Sequence, residues 1–200
     1  LTASDPGVGD EFGHAVAIDG NRVIVGAPFE DPPGASSGAA YIYSLQSGTW
    51  TFDAKIEASV SIDTFNAQFG ASVGISGTTA VVGAAFTNTS GGDNSGKVYV
   101  FDYSDGSWSQ TATLTASDAG SGDNLGKGVA ISGDVIVAGA FSDDDTNANS
   151  GAAYVFTRSG GSWSQTQKLK ASDAESLDSF GLAVAIDGNV IVVGAKDEHP

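Results

Sequence analysis

Cysteine and methionine are both missing from the 200 residues, and only two histidines and eight Lys+Arg are present. Without cysteine there can be no disulfides and no thiolate metal sites, which leaves the redox compartment open. Against so few cations stand 24 Asp+Glu, for a formal charge of −16. That charge repels phosphates and argues against nucleic acid or anionic membrane as partners. Cations, basic protein surfaces and neutral glycans remain. No run approaches about 18 apolar residues, so nothing reads as a membrane-spanning helix. Helical periodicity and helix caps are absent as well. No signal-peptide pattern is present, and the chain opens on Leu1 instead of Met. That start leads us to expect a processed chain or a stretch of a longer protein.

What the chain has is glycine, 28 residues of it, and repetition. The segment "FGHAVAIDGNRVIVGAP" (12–28) returns as "FGASVGISGTTAVVGAA" (69–85), "LGKGVAISGDVIVAGAF" (125–141) and "FGLAVAIDGNVIVVGAK" (180–196), each without a gap. The starts lie 57, 56 and 55 residues apart, and "SGAAYIY", "SGKVYVF" and "SGAAYVF" keep the same period. So do Trp50, Trp108 and Trp163, each following a glycine turn. Every period reads as four short strands, in the first copy 12–19, 22–28, 39–45 and 50–58. Asp-Gly and Ser-Gly pairs supply the first hairpin turn. Tandem four-stranded units of this length predict an all-β β-propeller of four-stranded antiparallel blades, with a parallel β-solenoid as the alternative. The blades are expected at about 11–59, 68–116 and 124–172, after the end of a preceding blade and a linker at 1–10 and before half a blade at 180–200.

The first strand has two unlike faces, because strand side chains alternate. One row holds Phe12, Val16 and Ile18, repeated as Phe69, Val73 and Ile75, as Leu125, Val129 and Ile131, and as Phe180, Val184 and Ile186. The opposite row is almost entirely Gly, Ala and Ser. Such a sheet suits stacking on copies of itself, the large face of one blade filling the bald face of the next. Each Phe or Leu buried this way contributes about 1.5–3 kcal/mol.

Phe12-Gly13 followed by Gly26-Ala27-Pro28 resembles the FG-GAP repeat, the unit of the seven-bladed propeller of integrin α subunits and of many microbial surface proteins. The later copies keep Phe69-Gly70 with Gly83, Leu125-Gly126 with Gly139, and Phe180-Gly181 with Gly194. The resemblance covers the whole chain. It implies about 3.5 blades of a seven-bladed ring, an extracellular or surface location, and a role in adhesion. Many members carry a D-x-D-x-D-G calcium loop between the first two strands. Here that connection is "DGN", "SGT" or "SGD", too short to wrap an ion needing six to eight oxygens. Asp19, Asp134 and Asp187 therefore read as turn formers.

In a four-stranded meander the 1–2 and 3–4 turns lie on one side and the 2–3 and 4–1 connections on the other. Of the 24 acidic residues, 17 fall on the second, long-loop side. They are Asp5, Asp10, Glu11, Glu30, Asp31, Asp63, Asp93, Asp118, Asp123, Asp143, Asp144, Asp145, Asp173, Glu175, Asp178, Asp197 and Glu198. One loop there has metal-ligand spacing: Asp143, Asp145, Asn147 and Asn149 in "DDDTNANSG", for which calcium is the candidate ligand. It lacks the closing Glu, and the competing reading is a solvated acidic loop. The pairs Asp5/Asp10, Asp118/Asp123 and Asp173/Asp178 read either as inter-blade cation sites or as caps on backbone N–H groups, the second being favoured. Asn88 opens an "NTS" glycosylation sequon. His14 and His199 are out of register, and no nucleophile or zinc-protease motif occurs.

The expectation is thus a non-catalytic extracellular module. It would bind a protein or glycan through its acidic long-loop face, or assemble with further copies of itself. The alternatives are a structural subunit of a surface layer or filament, and an accessory domain of a secreted hydrolase.

Overall fold

The computed structural model describes residues 1–30, 37–58 and 66–196. Fourteen strands and no helix occur among them. Three antiparallel meanders have the order of the chain: β1 (Val16–Asp19), β2 (Arg22–Ala27), β3 (Ala39–Gln46) and β4 (Thr49–Ile56) form the first. The second is β5 (Ser72–Ser76), β6 (Thr79–Ala84), β7 (Lys97–Ser104) and β8 (Ser107–Leu114). The third is β9 (Gly128–Ser132), β10 (Val135–Ala140), β11 (Ala152–Ser159) and β12 (Ser162–Leu169). A two-stranded sheet, β13 (Ala183–Asp187) and β14 (Val190–Gly194), follows. This is a partial β-propeller with open ends among the described residues.

The first strand is shorter than its sequence pattern. It starts at Val16 and not at Phe12, because Gly13 takes φ 98° and His14 N–H donates back to Glu11 O at 3.0 Å. That turn swings Phe12 over the sheet, where its ring meets Tyr41 edge-on at 5.3 Å.

Two of the three clusters lie between blades, and the third, Val25, Ala27, Ala39, Tyr41 and Tyr43 with Ala3 and Phe12, lies on the first blade. One cluster joins Ile24, Ala40, Ile42 and Ile56 of the first blade, with Ala15 and Ala17 beside them, to Phe69, Val73, Ile75, Tyr99 and Phe101 of the second. The next joins Val81, Val98, Val100 and Leu114 to Leu125, Val129, Ile131, Tyr154 and Phe156 of the third. Large faces therefore fill bald faces, as the alternation predicts. At the first blade only the Tyr41 end of the large face is covered, by Ala3 and Phe12: Val16 and Ile18 are 67% and 66% exposed, against 8% and 6% for Val73 and Ile75.

The Phe-Gly and Gly-Ala-Pro elements meet twice. Within a blade Gly13 N–H donates to Gly26 O at 3.0 Å, and Gly70, Gly126 and Gly181 repeat this with Gly83, Gly139 and Gly194. Between blades, the Gly70 carbonyl lies against the α-carbon of Gly26, so close that a Cβ there would collide with it. Gly83 meets Gly126, and Gly139 meets Gly181, in the same way.

Candidate functional site

Both sides of the stack are built from repeated inter-blade contacts, and they differ in what they leave unused. On the short-turn side, each β1–β2-type turn holds the next. Asp19 Oδ2 accepts from Gly77 N–H at 2.6 Å, Ser76 Oγ from Gly133 N–H at 3.1 Å, and Ser132 Oγ from Gly188 N–H at 3.1 Å. Arg22 donates to Gly77 O at 3.0 Å and lies over the Tyr103 and Trp108 rings. Arg158 lies over Trp163 and bridges Asp102 at 3.1 Å and Asp134 at 2.7 Å. Trp108 Nε1 donates to Asp53 of the preceding blade at 3.1 Å, beside a register shift in the β3–β4 pairing. All three tryptophans are partly buried against the clusters, and an arginine lies over the Trp108 and Trp163 rings.

On the long-loop side, the acids that looked like metal ligands converge on a protein ammonium. Lys168 of β12 places Nζ 2.8 Å from Asp118 and 2.8 Å from Asp143, and also reaches Asp145. Tyr154 of β11 donates to Asp143 Oδ2 at 2.7 Å. Lys55 of β4 repeats the arrangement with Asp5 (2.7 Å), Glu30 (2.5 Å) and Glu57 (3.0 Å), and Tyr41 donates to Asp5 at 2.8 Å. Burial lowers both lysines' proton affinity, but the surrounding carboxylates outweigh it and hold them above the usual lysine range. The Lys55 hydrogen bond holds the Asp5 carboxyl below its ordinary value. Burial pulls Asp118 upward, and Lys168 with Tyr154 pulls it below. Burial raises Glu30 and Asp123.

The four residues of the expected calcium set make the following contacts. Asp143 is 2% exposed and Asp145 shares the Lys168 ammonium, while Asn147 Nδ2 donates to Ala174 O at 2.8 Å. Asn149 stands in the left-handed region, φ 52°, and its carbonyl accepts from Ser179 N–H. Among the described residues no group of three or more His, Cys, Asp or Glu side chains is placed to hold a metal ion. The recurrent Asp pairs do two jobs. The second member caps a loop: Asp10, Asp123 and Asp178 accept from Gly7, Gly120 and Glu175 N–H at 2.5–2.6 Å. In the first two pairs the first member, Asp5 or Asp118, binds the lysine.

Lys55 and Lys168 were not singled out in the sequence, although aligned repeats hold the signal. Asp5, Glu30 and Lys55 match Asp118, Asp143 and Lys168, whereas the middle repeat carries Val60, Thr87 and Thr113. The charged set is kept or lost as a whole, as interdependent charges require.

Other acids on this side stay unpaired. Asp93, Asp144, Asp173 and Glu175 are exposed and make no ion pair among the described residues. Asp93 also borders a cleft of about 310 Å³ in the second blade, with Asn66, Asn88, Asn94 and the Phe86 ring. Asn88 of the sequon spends Oδ1 on Asn94 N–H at 2.9 Å. Asp31, Asp63, Asp197, Glu198 and His199 lie outside the described residues. His14 is exposed and pairs with Glu11 at 2.9 Å.

A family model described as FG-GAP repeat matches residues 1–43, 50–101, 108–156 and 163–200. The second and third matches each begin in one sheet and end in the next, so the sequence repeat is out of phase with the blade. No curated protein matches the chain.

Proposed function

The chain belongs to the FG-GAP repeat family, and from that premise we propose that it is an extracellular, non-catalytic binding module whose long-loop face contacts a protein or glycan. The supporting observation is the second-blade cleft and its polar lining. Phe86 offers an aromatic wall, Asp93 an exposed carboxylate, and Asn66, Asn88 and Asn94 amides. Amides and a carboxylate beside a ring suit a hydroxyl-rich or polar ligand with one flat apolar face. On the short-turn face the β1–β2-type turns and both arginines are engaged with neighbouring blades. Long loops on a rigid sheet scaffold are where binding concentrates.

The test is binding to arrayed glycans and to intact cells, comparing the parent chain with Phe86→Ala, Asp93→Lys and the short-turn control Asp105→Lys. Loss with the first two and retention with the control supports the reading. Equal loss in all three, or no binding by the parent, defeats it.

A second reading, a self-assembling surface subunit, is favoured by one observation. Val16 and Ile18 of the first blade are 67% and 66% exposed, whereas the matching Val73, Ile75, Val129 and Ile131 of the next two blades are buried. Ordered polymers in electron micrographs would support it.

A further inference from the structure

Resting on the reading of the long-loop face as a ligand surface, we propose that the Phe86 cleft takes an amino sugar with a free ammonium group. Asn124 of the third blade is the residue that positions the cleft's loop. Three amides, Asn66, Asn88 and Asn94, share the cleft with the Phe86 ring and the Asp93 carboxylate. Asn88 Oδ1 accepts from Asn94 N–H at 2.9 Å, which leaves its Nδ2 to donate to a ligand. Amides suit hydroxyls, and the ring suits the apolar C–H face of a pyranose.

The carboxylate decides the charge of the sugar. Asp93 is exposed and makes no ion pair among the described residues. A neutral sugar laid over it would strip its water without supplying a counter-charge, which costs free energy. An acidic sugar would be repelled by Asp93 and by the −16 net charge, whereas the same field draws in an ammonium. An amino group seated between Asp93 and the Phe86 ring gains a charge-assisted hydrogen bond and the attraction of the ring for a cation. Lys127 Nζ lies over the same ring at 5.8 Å but outside the cleft lining. An acidic ligand reaching round the ring to Lys127 is therefore the competing chemistry.

The loop is held ready by the neighbouring blade. Asn124, 7% exposed, donates from Nδ2 to Ala85 O and to Asn94 O, each at 3.2 Å, and so staples the two ends of the loop. Its N–H adds a bond to Asn94 O at 3.0 Å. Gly122 N–H reaches Asp93 O at 2.8 Å, and Ser121 Oγ reaches the same carbonyl at 3.1 Å. At the tip, Thr89 and Gly92 exchange two backbone bonds at 3.1 Å. The positions matching Asn124 are Glu11, Gln68 and Ser179, and the Ser179 hydroxyl turns to Leu177 O at 3.2 Å. A loop fixed before binding loses little entropy when its ligand arrives.

The test is calorimetric titration with chitosan oligosaccharides and with chitin oligosaccharides of equal length, at mildly acidic pH and at dilutions where sedimentation shows one species. The first carry free ammonium groups and the second N-acetyl groups. The ammonium form should bind about tenfold or more tightly, the worth of one hydrogen bond to a charged group. Asp93→Asn should erase that preference, whereas Asp144→Asn, the same change in net charge at an exposed third-blade position, should keep it. Phe86→Ala should weaken both ligands. Asn124→Ala should weaken both without changing their ratio, at a temperature where a melt shows the variant folded, with faster hydrogen exchange at Asn94. Unchanged affinity in Asn124→Ala would remove its positioning role. The ligand assignment is overturned by equal affinity for the two oligomers or by a preference that survives Asp93→Asn. Tighter binding of an oligogalacturonate that is lost with Lys127→Met, or of a short polylysine peptide, overturns it too. In each of these cases, binding that is lost with Phe86→Ala still upholds the long-loop ligand face. No binding of any probe overturns the assignment, and that face falls with it only if arrayed glycans and cells fail as well.

Discussion

The carbonyl of Gly70 lies against the α-carbon of Gly26 in the preceding blade, while Gly70 N–H donates to Gly83 O in its own blade at 3.2 Å. The two halves of the repeated motif are thus one contact seen from either side of a blade boundary. This explains why a glycine recurs at a strand position with ordinary φ, where glycine is otherwise a cost.

Gly26→Ala should destabilise the chain by about 3 kcal/mol or more, because a methyl forced onto backbone cannot be relieved by a rotamer change. Gly194 occupies the same motif position, yet a Cβ there would find its nearest atom at 3.8 Å. Gly194→Ala should therefore be near neutral. Thermal melts of both variants decide this, and equal losses would refute the inter-blade explanation.

Lys168→Met should cost about 3 kcal/mol, near the low end for a broken buried ion pair, since Asp118 and Asp145 keep water contact. Copying the middle repeat, with Asp118→Val, Asp143→Thr and Lys168→Thr together, should recover most of that loss. A triple variant less stable than the single one would show that the set is not interchangeable.

Calcium must compete with Lys168 for Asp143 and Asp145. We expect melting temperatures in millimolar calcium and in chelator to coincide within about 1 °C, as mass action requires without binding. A calcium-dependent rise removed by Asp145→Asn would instead establish a bound ion.

Stability should pass through a maximum on the acid side of neutrality. Glu30 and Asp123 are raised, so the folded state takes up protons first and gains stability as pH falls through their folded values. Relief of the −16 charge acts in the same direction. Asp5 and Asp118 are lowered, so their contribution is present above the ordinary carboxylate value and lost as pH falls through their folded values. Calorimetry across this range would test it. A melting temperature that only rises from acid to neutral pH would contradict the assignment.

The exposed Val16 and Ile18 of the first blade should make the 200-residue chain self-associate, and Ile18→Lys should suppress this. Sedimentation velocity over a range of concentrations reads it directly. A monodisperse parent chain would remove the prediction.

Sequence alone determined the strands and their stacking logic, because both are local. Alternation at Val73, Ile75 and the small residues between them specifies two unlike faces, and Asp-Gly or Ser-Gly fixes each hairpin. Period and register then make every blade the complement of its neighbour. The start of β1 was misplaced by the same reasoning, since Phe12 keeps the apolar row while Gly13 leaves the strand. The partners of the acids were beyond reach: Asp118 and Lys168 are 50 residues apart, and only the tertiary structure brings them together. The "DDDTNANSG" spacing is that of an ion loop, and the fold brings the Lys168 ammonium to Asp143 and Asp145. Side-chain spacing is written along the chain, whereas which charge neutralises which depends on how one blade is rotated onto the next.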